Sequence, residues 1–174
     1  MQTIDLIILG MLIEKSQSAY DIQKDIEYHN FDRWSKISIP SIYKKVIQLE
    51  EKGYLVSEIL NSGRLSNKAI YSITEKGKTH FQNLMTDLSK ANPSVIFDFN
   101  ILIANITKLS RSQGQVILTN LKKAILDALS STEKWEKEFC NIPFNGKAII
   151  KQQLAVYRLL LDWINEFETQ YTTQ

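Results

Sequence analysis

The sequence predicts a mainly α-helical chain with one small β-hairpin, divided into two domains at 1–91 and 92–174. Three observations carry this. Apolar residues recur every three or four positions along most of the chain, and only three prolines and six glycines interrupt them in 174 residues. Two short runs rich in β-branched and aromatic residues, Tyr54 to Leu60 and Ala69 to Ile73, flank a turn-rich stretch. Asn92-Pro93-Ser94 then stops the helical pattern near the middle of the chain.

The first helix follows Thr3, with Ile4, Ile7, Ile8, Met11 and Leu12 on one apolar face, and ends near Glu14 or Lys15. Ser16-Gln17-Ser18 is a turn. Ser18-Ala19-Tyr20-Asp21 has capping-box form, a hydroxyl with an acid three residues later, and starts a second helix that buries Ile22 and Ile26 and frays near His29 or Asn30. Ser38-Ile39-Pro40 announces a third, since proline is tolerated in a first turn, where its missing N–H costs nothing. Ile39, Ile42, Val46 and Leu49 form its narrow apolar stripe, Ser41, Lys44, Lys45 and Gln48 lie opposite, and Gly53 closes it. The two strand-like runs come next, joined by the loop Asn61 to Lys68. Thr74 caps a fourth helix with Phe81, Leu84, Met85 and Leu88 on its buried face, ending near Ala91.

The net charge of +2 says little, but its distribution says more. Arg33, Lys36, Lys44 and Lys45 occupy Arg33 to Leu49 without an acid, and Arg64 and Lys68 do the same from Ile59 to Thr74. Glu27, Asp32, Glu50, Glu51, Glu58 and Glu75 bracket these stretches. A phosphate-facing surface needs local positive potential rather than a high overall pI. Helix, helix, helix, strand, basic loop, strand, helix is the order of a winged helix-turn-helix. Its second and third helices are the reading pair, and the hairpin loop is the wing. A helix fits the major groove, and a basic wing can follow the neighbouring backbone. Double-stranded DNA is therefore the expected partner. A winged helix that binds protein instead is the alternative, and it predicts that neutralising Lys44, Lys45, Arg64 and Lys68 leaves function intact.

Four stretches, Ser18-Ala19-Tyr20-Asp21-Ile22, Ser41-Ile42-Tyr43, Leu49-Glu50-Glu51-Lys52-Gly53-Tyr54-Leu55 and Ala69-Ile70-Tyr71-Ser72-Ile73-Thr74-Glu75-Lys76-Gly77, together resemble the PadR family of bacterial transcriptional regulators. The order and spacing match over nearly the whole chain, although no single motif is diagnostic. The resemblance implies a homodimeric regulator, most often a repressor, released from a palindromic operator by a small molecule. It places Tyr20 and Tyr43 near DNA and Lys44, Lys45, Arg64 and Lys68 at phosphates, and Ser38, Ser41 and Gln48 of the reading helix and its start join them as expected DNA contacts. Tyr20 and Tyr43 have a second reading, as packing between the reading helices. Ile39-Pro40 limits the base contacts available to the first turn of the reading helix.

Beyond Pro93, Val95 to Leu109 is apolar at helical spacing, with Ile96, Phe99, Ile103 and Ile106. Ser110-Arg111-Ser112 caps a long helix whose seam is Leu118, Leu121, Ile125, Ala128, Thr132, Trp135 and Phe139. Asn141 to Gly146 interrupts. The final helix carries one seam of Ile150, Leu154, Tyr157, Leu161 and Ile164, and a neighbouring one of Val156, Leu160, Trp163 and Phe167. Stripes this wide need more than one neighbour, so Leu118, Leu121, Ile125, Leu154, Tyr157, Leu161 and Ile164 are expected to dimerise. Trp135, Phe139, Phe144 and Trp163 either line an effector pocket or are ordinary dimer core, and the second reading is the more economical. Trp34 is either core or a support for the reading helix.

Little suggests an enzyme. His29 and His80 have no ligand partner nearby, the glycines stand alone, and Glu133, Glu136 and Glu138 alternate with Lys134 and Lys137 as a solvated face. The one cysteine, Cys140, excludes an internal disulfide and reads as a small apolar group rather than a nucleophile or redox sensor. No cofactor or metal is expected. Without a signal peptide or a membrane-length apolar run the expected location is the cytoplasm, and the sequon Asn105-Ile106-Thr107 is chance.

Overall fold

A computed structural model describes residues 3–29, 31, 41–61, 67–139 and 141–173, without the side chains of residues 41, 61 and 67. The expectations for Trp34, Ser38, Ile39, Pro40, Arg64 and Cys140 lie outside the described residues. The chain divides into two compact units, Met1–Pro93 and Ser94–Gln174.

The first unit is built around α1 (Thr3–Glu14), which packs against α3, α4 and β2. Its buried side chains are Ile4, Asp5, Ile8, Leu9 and Leu12, whereas Ile7 and Met11 pack at the edge of the core. The predicted face is therefore rotated. A helix apolar almost all round gives no moment to fix its orientation, so its neighbours choose.

Helix α2 (Ala19–Tyr28) starts at Ser18 with the capping box complete: the Ser18 hydroxyl accepts from the Asp21 amide, and the Asp21 carboxylate faces the Ser18 N–H. Ile22 and Ile26 are buried. Helix α3 (Ser41–Glu51) buries Ile42, Val46 and Leu49 almost completely. It ends in a Schellman motif, with Tyr54 N–H donating to the Leu49 carbonyl and Gly53 N–H to that of Glu50, and with Gly53 left-handed at φ 74°. Strands β1 (Leu55–Asn61) and β2 (Asn67–Ile73) pair antiparallel from Leu55 opposite Ile73 to Asn61 opposite Asn67. The second strand thus begins two residues before the apolar run that predicts it, because pairing with β1 supplies the order. Gln17, read as part of a turn, exchanges both backbone hydrogen bonds with Tyr71 and adds a one-residue bridge along the other edge of β2.

Helix α4 (Glu75–Lys90) is capped by the Thr74 hydroxyl, which accepts from Gly77 N–H. Gly77 is buried against the Tyr54 carbonyl oxygen, where a Cβ would collide. Leu84 is buried and Phe81 packs on the core, but Met85 and Leu88 are more than half exposed. Core contact ends at Leu84, so the predicted apolar face is used over its first half only.

The second unit is an antiparallel pair, α6 (Arg111–Glu138) and α7 (Phe144–Thr173), with a short α5 (Asn100–Asn105) and a 3-10 turn (Ile106–Lys108) against it. Ser110 and Gln113 form a second capping box. The helix expected over 95–109 is reduced to these two short pieces. After Pro93 the chain stays non-helical to Phe97, Phe97 stacks on Phe99 at 5.1 Å, and Phe99 meets Trp163 of α7 at 5.5 Å. Those aromatic contacts and Ile106, buried in the core, outweigh a helix too short to stand alone. Lys122 pairs with Glu168 at 2.8 Å and Arg158 with Glu133 at 3.4 Å, which sets the register of the long helices. Arg111 donates to the carbonyls of Tyr171 and Thr172 at their far end.

Candidate nucleic-acid interface

Helix α3 presents one face to the core and another to solvent. Around its exposed side stand Tyr43, Lys44 and Ile47, with Gln48 half-buried at the margin. Lys44 has no ion-pair partner among the described residues. On α2, Tyr20 is 51 % exposed, and the Lys24 ammonium lies over its ring, 4.7 Å from the centroid. The structure therefore leaves Tyr20, Tyr43 and Lys44 exposed, as a reading surface requires. Ser41 opens α3. Two residues that the sequence reading left out, Lys24 and Ile47, stand on the same two helices; the i, i+4 spacing of Tyr20 and Lys24 is the signal that finds the first.

Two other predicted cations, Lys45 and Lys68, are committed elsewhere. Lys45 turns toward α1, where its ammonium lies 3.0 Å from Asp5 Oδ1, with side-chain exposures of 21 % and 8 %. Lys68 at the start of β2 pairs with Asp21 at 2.8 Å, so the loop end of the hairpin is tied to the capping box of α2. The Lys68 ammonium, and next the Ser18 hydroxyl, hold the Asp21 carboxyl below the usual carboxylate range. A second clasp lies one turn on. Gln17 donates to Asp25, and Lys15 pairs with the same carboxylate at 3.2 Å. Burial pushes the Asp25 pKa up, but the hydrogen bonds from Gln17 and Lys15 outweigh it and leave the carboxyl lowered. Charge counting along the sequence could not separate Lys44 from Lys45. Adjacent residues on a helix point about 100° apart, and only the position of Asp5 decides which one is bound. The signal was a lone acid among Ile4, Leu6 and Ile8, which needs a partner once buried.

In the second unit, the residues read as a dimer seam pack within one chain. Leu118, Ile125, Leu154 and Ile164 are at most 5 % exposed, and Leu121, Tyr157 and Leu161 pack against the same core. Within the chain α6 and α7 pack against each other through these side chains, and Leu121, Tyr157 and Leu161 stay half-buried. Nor do the four aromatics read as a possible pocket share one site, and Phe144 is largely exposed. Trp135 meets Phe139 at 6.0 Å, whereas Trp163 sits with Phe99 and with Phe167 at 6.0 Å. The register of the ion pairs places Trp163 about 11 Å along the helix axis from Trp135. Trp163 instead borders a groove of about 520 Å³ with Phe97, Phe99, Leu159 and Leu160, with Asp162 and Glu166 at its rim.

Three helices, a hairpin and an exposed polar face on the third helix define a winged-helix protein. Residues 8–83 match the family described as the transcriptional regulator PadR-like family. Among solved structures, the chain is similar to Bacillus subtilis PadR in complex with operator DNA, at 21 % identity over 98 % of each chain and a TM-score of 0.78. It is similar to the same protein in complex with p-coumaric acid, at 21 % identity over 97 % of this chain and 98 % of that one, TM-score 0.78. It is also similar to the Vibrio cholerae virulence activator AphA, at 18 % identity over 98 % of each chain, TM-score 0.75. At these identities the likeness is one of fold. No curated protein matches the chain. Among the described residues no helix is long and apolar enough to cross a membrane.

Proposed function

We propose that the chain is a sequence-specific DNA-binding transcriptional regulator, a homodimeric repressor of the PadR type that a small molecule releases from its operator. The observation that carries this reading is the exposed face of α3, with Tyr43 and Lys44, and that of α2, with Tyr20 and Lys24, in a unit whose residues 8–83 match the PadR-like family. Short and cationic side chains on such a helix reach base edges and phosphates in the major groove. Ser38, Ser41, Gln48 and Arg64 complete the contact set. The reading module is 1–91 and the dimerising module 92–174, and two modules held together read half-sites about 34 Å apart or a multiple of it. The linked second site then binds at high effective concentration. The effector occupies the groove beside Trp163; the Bacillus subtilis PadR structure with p-coumaric acid supports a small aromatic molecule. The protein performs no catalysis and works in the cytoplasm, where its operator is.

Fluorescence anisotropy with DNA from upstream of the protein's own gene, beside scrambled DNA and at several salt concentrations, tests this. The expected result is tighter binding to the native DNA, two chains per site, and log K falling steeply with log salt. Equal, weak binding to both DNAs and to DNA selected from random pools overturns the reading in favour of a winged helix that binds protein.

A further inference from the structure

The pair Lys45–Asp5 has no place in a scheme where every lysine of the reading helix meets a phosphate. Asp5 is 6 % exposed and sits in the first turn of α1, between Ile4 and Ile8 of the core. Lys45 crosses from α3 to reach it, 3.0 Å away, with its side chain only 21 % exposed. Its neighbour Lys44 is exposed and unpaired among the described residues. A carboxylate removed from water needs its counter-charge held close, and Asp5 Oδ1, buried without a hydrogen bond, has that charge in Lys45. The pair joins α1 to the margin of α3, between the buried stripe of Ile42, Val46 and Leu49 and the exposed face of Tyr43, Lys44 and Ile47. Apolar packing alone tolerates some rotation of a helix about its axis, because it is non-directional. An ion pair on one flank resists that rotation.

We propose that Lys45 is a positioning residue and not a phosphate contact: its pair with the buried Asp5 fixes the rotation of α3 and so aims Tyr43 and Lys44 at DNA. The proposal rests on the DNA-binding reading above. It makes Asp5, which never approaches DNA, a determinant of operator affinity.

The test compares Asp5→Asn, Lys45→Met, the double variant and Lys44→Met on the upstream DNA over a salt series. A positioning role predicts that Asp5→Asn and Lys45→Met each weaken operator binding about tenfold, the order of one misplaced contact. It also predicts that the double variant is no weaker than either single one and that all three keep the wild-type salt slope. Lys44→Met lowers that slope by about one. If Lys45→Met lowers the slope by one while Asp5→Asn binds as tightly as wild type or more so, Lys45 is a phosphate contact and the proposal falls. Thermal unfolding of the same four proteins tests the ion pair without DNA: coupled, non-additive shifts for Asp5→Asn and Lys45→Met support it, and additive shifts overturn it. A wild-type chain with no preference for any DNA overturns the regulator reading, and the unfolding cycle then decides on the ion pair alone.

Discussion

Asp21 carries three duties at once. It completes the capping box of α2, accepts from the Ser18 hydroxyl, and pairs with Lys68 of the hairpin. Its folded pKa is lowered, chiefly by Lys68 and then by Ser18. A carboxyl lowered on folding contributes stability that is fully present above its unfolded value of about 3.9 and is lost as pH falls through the folded value. Asp21→Asn is therefore expected to lower the melting temperature at pH 7 and to flatten its decline below about pH 4, as a pair of pH-dependent melting curves would show. Ser18→Ala removes the cap acceptor and is expected to cost about 1 kcal/mol in urea unfolding. Glycine positions separate sharply. At Gly77 a Cβ meets the fixed Tyr54 carbonyl, whereas at Gly114 it meets the ring end of Tyr171, which can swing aside. Gly77→Ala should thus destabilise by about 2 kcal/mol or more and Gly114→Ala by clearly less, with the two melting temperatures as the check.

Among the elements, helix ends are the most legible. Ser18, Thr74 and Ser110 all cap the helices they announce, and Gly53 ends α3 with positive φ. Cap chemistry is local: one side chain meets amides two or three residues away, so its meaning does not depend on the rest of the fold. Faces are less legible. Met85 and Leu88 continue the apolar stripe of α4 but stand exposed, because a stripe states what can be buried and not what arrives to bury it. The same holds for the long seam of α6. Its residues are apolar for a partner, and the partner is α7 of the same chain. Leu118→Ala, at a fully buried position, is accordingly expected to cost about 2–5 kcal/mol in unfolding by denaturant. A dissociating effect with no loss of unfolding free energy would contradict the intrachain role.

For the whole molecule, the proposed dimer must draw on surface that α6 and α7 leave over. Sedimentation at micromolar concentration is expected to return two chains, and a monomer there would remove the basis for reading a palindrome. The operator complex should likewise contain two chains, with half-sites spaced by about one helical turn or a multiple.

Composition, caps and periodicity are enough to determine that the chain is mainly helical with one hairpin in its first half, where most helices begin and end, and which α3 stripe is buried. They also place Lys44 on the polar side of α3, where it is exposed. Each of these follows from neighbours within a turn or two. The tertiary structure alone decided that Lys45 is claimed by Asp5 forty residues earlier, that Lys68 is claimed by Asp21, and that Gln17 pairs with Tyr71. It also decided that Trp163 belongs with Phe97 and Phe99 rather than with Trp135. The reason is common to all four. A charge or a ring has no preferred partner in sequence; it takes the one that the packing of distant elements brings within reach, and only the folded chain fixes which that is.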